Sequence, residues 1–344
     1  MGPKSKRQLV ALAVIMLASM LFAMAYAPII GQFQGFETPL SVVLQFALHG
    51  LIFGAILGWF ELFFFQSVNA EWFRRQPFFV TLLVKTSITT LTIIVVLLVG
   101  GMMIFPERLA EDNAIRFFVV DVFVATVLAF SFQLVLTVRA VIGGRVLGNL
   151  LLGRYHRPLR EERVFMFLDL VGSTALAERL GDITAQSLIT RFFFDVAQAT
   201  VAYGGETHRY VGDEVVVTWP MNRGIEDAAC LRCCFAVEKR LAERADEYLE
   251  MFGVLPKFRI GLHGGFVVAA ECGDDKHEIV YFGDTINTAA RIEQYCKEAG
   301  RSLLISAELL ARMTLPASWK TEHTGHVRLR GRASDTEIYS VSEA

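Results

Sequence analysis

Two aspartates in the C-terminal half of the chain occupy positions where metal-dependent chemistry uses carboxylates. Asp169 ends an apolar stretch that begins at Val164, and a small-residue turn follows it. Asp213 lies at the tip of a second stretch, Arg209-Tyr-Val-Gly-Asp-Glu214. Two carboxylates on neighbouring strands can bind a pair of divalent cations, which promote in-line displacement at phosphorus. Each motif alone is weak, because strand-end aspartates and Gly-Asp turns are common.

A third stretch adds groups suited to a nucleotide. In Val280-Tyr-Phe-Gly-Asp-Thr-Ile-Asn-Thr-Ala-Ala-Arg291, a strand turns at Gly283 into a helix. Asn287 and Arg291 are four residues apart on that helix and therefore share one face. An amide and a guanidinium placed in this way can hold a sugar and a phosphate that gains negative charge.

Alternating strands and helices are expected to position these motifs. We predict strands at 164–168, 206–210, 214–219, 257–262, 266–271, 278–281, 302–305, 326–329 and 337–341, and helices at 184–202, 225–248 and 284–299. Helices that alternate with antiparallel strand pairs favour an α/β sandwich. The predicted fold has a mixed, mostly antiparallel sheet around a ferredoxin-like βαββαβ core.

Taken together, the three motifs resemble the class III nucleotidyl cyclases, the adenylate and guanylate cyclase catalytic domain. The resemblance covers about residues 160–341 in the family's order and spacing, and it implies a homodimer with two sites at the subunit interface. By resemblance, Asp169 and Asp213 of one chain would bind two Mg²⁺ or Mn²⁺ ions. Asn287 and Arg291 of the other chain would orient the ribose and stabilise the α-phosphate.

The resemblance also assigns substrate contacts. The turn that follows Asp169 would donate backbone N–H groups to the β- and γ-phosphates; it comprises Leu170, Val171, Gly172, Ser173 and Thr174. Arg330 falls where the family has a phosphate-contacting lysine, although Arg328 and Arg332 offer alternative registers.

Two positions that read the purine base in this family depart from its pattern. Arg209 replaces the lysine usual in adenylate cyclases, and Val280 replaces the usual aspartate or threonine. Arginine can donate to a base nitrogen, but with a different reach from lysine, whereas valine can neither donate nor accept. The pair is also not the glutamate and cysteine usual in guanylate cyclases. We expect ATP as the substrate, with GTP as the alternative. The other interpretation of Arg209 is a surface charge at the end of a strand.

The N-terminal part of the chain is a predicted membrane domain. Of the 344 residues, 53% are hydrophobic, and the mean hydropathy is +0.44, which is too apolar for an ordinary soluble enzyme. Apolar runs at residues 9–28, 40–60, 78–102 and 115–138 are each long enough to span a bilayer. A net charge of −2 gives no basic excess that would indicate nucleic acid. All five cysteines lie in the C-terminal half, as expected for reduced cytosolic thiols.

Basic residues predict that both termini are cytosolic. Lysines and arginines precede the first run, occupy the second loop and follow the fourth run, whereas the first loop has none and the third is acidic. We therefore expect a multi-pass protein of the inner (plasma) membrane with a cytoplasmic catalytic domain. The predicted domains are residues 1–138 in the membrane, a helical connector at 139–160 that pairs with a second copy, and a catalytic domain at 161–344.

Three ionisable residues fall well inside the predicted spans, where they are energetically costly. Lys85 lies near a cytosolic end and can snorkel. Asp121 and His49 fall in the outer or middle part of their spans and could pair or bind a ligand. The competing interpretations of the whole chain are a membrane receptor or scaffold with an inactive cyclase-like domain, and a transporter or channel. Four short-looped spans give little sign of a permeation path.

Overall fold

The computed structural model describes residues 3–34, 37–65, 76–104, 114–142, 148, 153–274, 277–327 and 335–343. The chain divides into two compact units, residues 1–151 and 152–344. Arg330 and most of the predicted connector, at 143–147 and 149–152, lie outside the described residues.

The first unit contains four long helices: α1 (Pro3–Gln34), α2 (Leu40–Trp59), α3 (Phe78–Ile104) and α4 (Ala114–Ile142). A π-helical turn, Phe60–Phe64, extends α2. Among the described residues these four helices are long and apolar enough to cross a membrane, at Gln8–Phe33, Leu40–Phe64, Phe78–Val99 and Phe118–Val138. Many of their large apolar side chains are exposed, as expected for helices whose solvent is lipid.

Small residues let α1 and α2 approach closely. Gly50, Gly54 and Gly58 recur every fourth residue on α2 and are buried. A Cβ atom at Gly50 would lie 2.5 Å from the backbone oxygen of Ser19 on α1. This is the spacing of small residues that membrane helices use for close packing.

Lys85 has a partner that the sequence analysis did not identify. Its Nζ lies 3.0 Å from Oε1 of Glu61, in the π-helical turn, and 4.7 Å from the centre of the Phe65 ring. An ion pair within an apolar bundle lowers the cost of both charges.

The second unit is built on a mixed sheet. Its strands are β1 (Leu159–Leu170), β2 (Glu206–Val211), β3 (Glu214–Pro220), β4 (Phe258–Cys272), β5 (Glu278–Phe282), β6 (Leu303–Ser306), β7 (Trp319–Val327) and β8 (Thr336–Glu343). The order is β2-β3-β1-β4-β6-β8-β7, with β5 paired to β4. The β4–β6 pair is parallel and the other pairs are antiparallel. The predicted mixed, mostly antiparallel sheet is confirmed.

Helices cover both faces of this sheet. The helices are α5 (Ser173–Leu180), α6 (Asp182–Ala202), α7 (Met221–Ile225), α8 (Ala229–Glu243), α9 (Ala245–Phe252), α10 (Asp284–Ala299) and α11 (Ala307–Leu310). Alternate β1 residues face opposite layers: Met166 packs with Phe192 of α6, whereas Phe165 packs in a cluster with Ala289 of α10. The period of two along a strand that is buried on both faces produces this sandwich.

Three predicted elements, two strands and one helix, are wrong. The predicted strands at 257–262 and 266–271 form one strand, β4. Gly264 and Gly265 do not make a turn; a Cβ at Gly265 would lie 2.8 Å from Oγ1 of Thr285 on α10, so close packing requires a glycine there. The predicted helix at 225–248 is interrupted, because Asp227 and Ala228 adopt positive φ angles of 49° and 52°, which a helix excludes.

Candidate active site

The sheet places Asp169 between two charged neighbours. In the antiparallel register, Asp169 at the end of β1 lies opposite Glu214 of β3 and opposite Arg259 of β4. Asp213 precedes Glu214 in the turn between β2 and β3, where Gly212 has a φ of 61°. That turn requires a residue in the left-handed backbone conformation, which glycine adopts without strain. The hairpin therefore brings Asp213 to the same sheet end as Asp169.

The two aspartates interact directly. Burial raises the pKa of Asp169, and the charge of Asp213 together with a side-chain hydrogen bond between the two carboxyl groups raises it further. Arg259 and the backbone N–H of Leu170 act in the opposite direction. Two carboxylates this close repel each other, and a cation bound between them relieves that repulsion. The predicted metal-binding pair is thus adjacent in space.

Two further carboxyl groups surround this pair and were missed by the sequence analysis. Burial, followed by the charges of Asp169 and Asp213, raises the pKa of Glu214 to about 7. Burial, followed by Asp169 and Glu214, raises the pKa of Glu293 to about 7. Glu293 is buried on α10 at 5% exposure. In the sequence, Glu293 could have been found as an acidic residue on the apolar face of an amphipathic helix.

The fit to divalent cations rests on the aspartate pair. Within the described ranges, no group of three or more histidine, cysteine, aspartate or glutamate side chains is arranged to hold a metal ion. Mg²⁺ commonly uses only one or two protein carboxylates and takes its other ligands from water and substrate phosphates. Asp169 and Asp213, close together and partly buried, fit that pattern.

The turn after Asp169 leads into a helix N-terminus. Gly172 has a φ of 73° and is the N-cap of α5, which begins at Ser173. The backbone N–H of Val171 donates to the oxygen of Lys257 at 2.8 Å, and that of Leu170 faces the Asp169 carboxyl group. The remaining predicted donors, Gly172, Ser173 and Thr174, lie in the first turn of the helix, where N–H groups have no intrahelical acceptor. Backbone N–H groups at the start of a helix are suited to bind an anion.

On helix α10, Asn287 and Arg291 lie on a different face from Glu293. Thr285, Ala289 and Glu293 are buried, whereas Asn287 is exposed and Arg291 is partly exposed. At about 100° per residue, Ala289 and Glu293 point about 200° and 240° away from Asn287. The face that carries Asn287 and Arg291 is therefore opposite to the face that packs near Asp169.

A glycine on β4 sets the position of α10. A Cβ at Gly261 would lie 2.2 Å from the backbone nitrogen of Glu293 and 2.6 Å from the oxygen of Ala289. Only glycine permits the helix backbone to rest this closely on the strand. The contact holds Glu293 beside the carboxylate cluster and fixes the direction of the Asn287 face.

The structure links Arg209 to the strand that carries Val280. Nη2 of Arg209 lies 3.7 Å from Oε2 of Glu278, and both side chains are about half exposed. Val280, two residues further along β5, pairs with Ala270 and is partly buried. Next to Arg209, His208 packs edge-on against Tyr281 with ring centres 5.0 Å apart. Contacts between β2 and β5 thus bring the two predicted base-reading positions into one region.

Comparison with known proteins identifies the family. Residues 158–343, more than half of the chain, match the family described as the adenylate and guanylate cyclase catalytic domain. Adenylate cyclase 2 of Rhizobium meliloti (strain 1021) is 45% identical over 208 residues, or 60% of this chain and 57% of that protein. Adenylate cyclase 1 of the same strain is 28% identical over 190 residues, or 53% of this chain and 28% of that protein. The matches therefore span less than two thirds of these relatives.

A solved structure shares the fold. A bacterial light-regulated adenylyl cyclase aligns with a TM-score of 0.54 and 23% identity, covering 64% of each chain. The sheet order, the two aspartates at one sheet end and the long family match lead to one conclusion: the chain belongs to the class III adenylate and guanylate cyclase family.

Proposed function

We propose that the chain is a membrane-integral adenylate cyclase that converts ATP to 3′,5′-cyclic AMP and pyrophosphate. The observation that carries the proposal is the partly buried Asp169–Asp213 pair beside the first turn of α5. A carboxylate pair next to backbone anion donors suits a metal-bound polyphosphate. A 45% identical relative that is named an adenylate cyclase supports the choice of reaction.

Asp169 and Asp213 would hold two Mg²⁺ or Mn²⁺ ions. When bound, such ions lower the pKa of a ribose hydroxyl and neutralise the polyphosphate. The 3′-hydroxyl would release its proton to water, and its oxygen would form a bond to the α-phosphorus while the bond between the α-phosphorus and the pyrophosphate oxygen breaks.

The chain's own groups bind and orient the nucleotide. Backbone N–H groups of Gly172, Ser173 and Thr174 would bind the terminal phosphates. Asn287 would hold the ribose, and Arg291 would stabilise the charge that develops on the α-phosphate. We assign a further phosphate contact to Arg330.

The direction of α10 supports a site shared between two chains. Asn287 and Arg291 point away from the carboxylates of their own chain, so a single site needs these two residues from a second copy. A two-fold symmetric homodimer supplies both halves twice. We propose that the cyclase domains and the connector form this homodimer.

Arg209 is the proposed adenine contact, and its pairing with Glu278 permits a clean test. An Arg209→Ala variant should lower the ATP-to-GTP ratio of kcat/KM at least threefold, because a donor to the base is lost. Glu278→Ala, the control, removes the same ion pair but leaves the guanidinium. Equal ratios in both variants would show that Arg209 serves only as a surface charge.

The test of the reaction uses the full chain in lipid nanodiscs with ATP or GTP and Mn²⁺. Chromatography of the products should show cyclic AMP and pyrophosphate in equal amounts. A dimeric preparation that yields no cyclic nucleotide would refute the enzyme assignment and favour an inactive scaffold. More cyclic GMP than cyclic AMP would reassign the substrate to GTP.

We also propose that the four helices span the inner membrane with the cyclase domain in the cytoplasm. A Thr38→Cys variant places a thiol between α1 and α2, on the expected outer side. A membrane-impermeant maleimide should label it in intact cells, whereas the native, partly exposed Cys272 should react only after permeabilisation. Labelling of Cys272 in intact cells would contradict this topology.

A further inference from the structure

The four membrane helices line a partly open cavity that the proposed reaction does not use. Its volume is about 590 Å³, and all four helices contribute to its wall. Most of the wall is apolar, with residues such as Phe22, Ile93 and Leu128. A cavity of this size and character is typical of a small-molecule site.

A few polar groups converge on this apolar wall. Tyr26, His49, Thr89, Asp121 and Gln133 all line the cavity. Oη of Tyr26 donates to Oδ1 of Asp121 at 3.0 Å. Nδ1 of His49 is 2.9 Å from the backbone oxygen of Gln45; because a carbonyl only accepts, Nδ1 is the donor of this bond.

Gln133 provides the observation that indicates a ligand. Its side chain is 2% exposed, and Oε1 has no hydrogen-bond partner among the described residues. A buried amide oxygen without a donor is costly, particularly where the surroundings are apolar. A ligand that donates one hydrogen bond would remove this cost.

The polar groups also define the shape of the ligand. Asp121 and Gln133 are twelve residues apart on α4, which corresponds to about 18 Å along the helix axis. That is more than half of the roughly 30 Å hydrocarbon core of a bilayer. Since Oε1 of Gln133 is a buried acceptor without a donor among the described residues, the cavity favours a ligand that carries a hydrogen-bond donor.

We propose that this cavity binds an elongated, bilayer-soluble alcohol or phenol whose hydroxyl group donates to Oε1 of Gln133. The apolar body of the ligand would lie along α3 and α4 and displace acyl chains of bulk lipid. This site is independent of the proposed cyclase reaction, and its test reads binding rather than turnover.

The test uses the full chain in phosphatidylcholine nanodiscs and a photoreactive myristyl alcohol with a diazirine in mid-chain. Mass spectrometry of labelled peptides should locate the label on cavity residues such as Ile93 or Leu128. Unlabelled myristyl alcohol should compete, whereas tetradecane, which lacks the hydroxyl group, should compete at least threefold less well. Equal competition by tetradecane would mean that acyl chains fill the cavity without selection, and it would overturn the proposal.

A matched pair of variants tests the hydrogen bond. Gln133→Leu should reduce labelling at least threefold, because the acceptor is lost. Gln45 also has a buried Oε1 without a partner among the described residues, but it does not line the cavity. The Gln45→Leu variant should therefore be labelled to the same extent as the wild type. Undiminished labelling of a helical, monodisperse Gln133→Leu protein would refute the assignment. Because the competition experiment needs no variant, the proposal remains testable if a substitution impairs folding.

Discussion

A mixed dimer of two inactive variants tests whether the face of α10 that carries Arg291 completes the site of the other chain. Asp169→Ala removes a carboxylate from one half of a site, and Arg291→Ala removes the guanidinium from the other half. If the halves come from different chains, a heterodimer has one intact site and one site that lacks both groups. Random mixing in equal amounts yields heterodimers as about half of all dimers, each with one working site of two. We therefore expect about a quarter of the wild-type activity.

The assay measures cyclic AMP formation by co-expressed full-length chains that carry different affinity tags. Two-step purification of the heterodimer should raise the recovered activity to about half of the wild-type value, while each variant alone should stay below about 1%. Arg301→Ala serves as a matched control, because Arg301 pairs with Glu322 on the surface and should not affect the site. Heterodimers as inactive as the parent variants would refute the shared site and require both halves within one chain.

Three further predictions concern the cyclase unit, residues 152–344, and are measured by urea unfolding. Gly261→Ala should lower the free energy of unfolding by about 1–3 kcal/mol, because its Cβ would overlap the backbone of α10; an unchanged midpoint would contradict this packing. Burial, followed by the charge of Arg209, lowers the pKa of His208 to about 4 from 6.5, so the unfolded chain binds more protons between these values and stability is lost as the pH falls through them. The His208→Phe variant should therefore lose about 2 kcal/mol less stability than the wild type between pH 7 and pH 5. An equal loss in both proteins would show that the folded protein protonates His208 as readily as the unfolded chain does. Arg163→Met should lower the free energy of unfolding by about 3–5 kcal/mol, since Arg163 is 2% exposed and pairs with Glu161 and Glu206. Arg312→Met, which breaks the exposed pair with Glu162, should lower it by less than about 1 kcal/mol. Similar losses of stability in both variants would refute the role of burial.

Local sequence predicted the parts of the site that depend on one element at a time. The strand before Asp169, the Gly-Asp turn and the helix from Asp284 each combine an apolar period with a glycine at a turn. The mixed sheet follows from their order along the chain. These features are encoded within a few residues, so periodicity and turn chemistry suffice to find them.

Contacts between distant residues could not be predicted in this way. Gly264-Gly265 has the composition of a turn, and only the packing of Thr285 against it explains why the strand continues. Glu61 and Lys85 are 24 residues apart, and no local pattern pairs them. Glu293 appears as one acid on a helix until the sheet brings Asp169 and Glu214 beside it. In each case the missing information was which element packs on which.

Helix α10 links the two proposed sites of a dimer. Its inner face brings Glu293 to the carboxylate cluster of its own chain, and its outer face would offer Asn287 and Arg291 to the other chain. Gly261 holds the helix directly on β4, so neither face can move without the other. A change in how two cyclase domains dock would then alter both sites together while each domain keeps its own fold. Because rates change tenfold for each ~1.4 kcal/mol of transition-state stabilisation, a small displacement of Arg291 from its proposed position at the α-phosphate would be enough to switch activity.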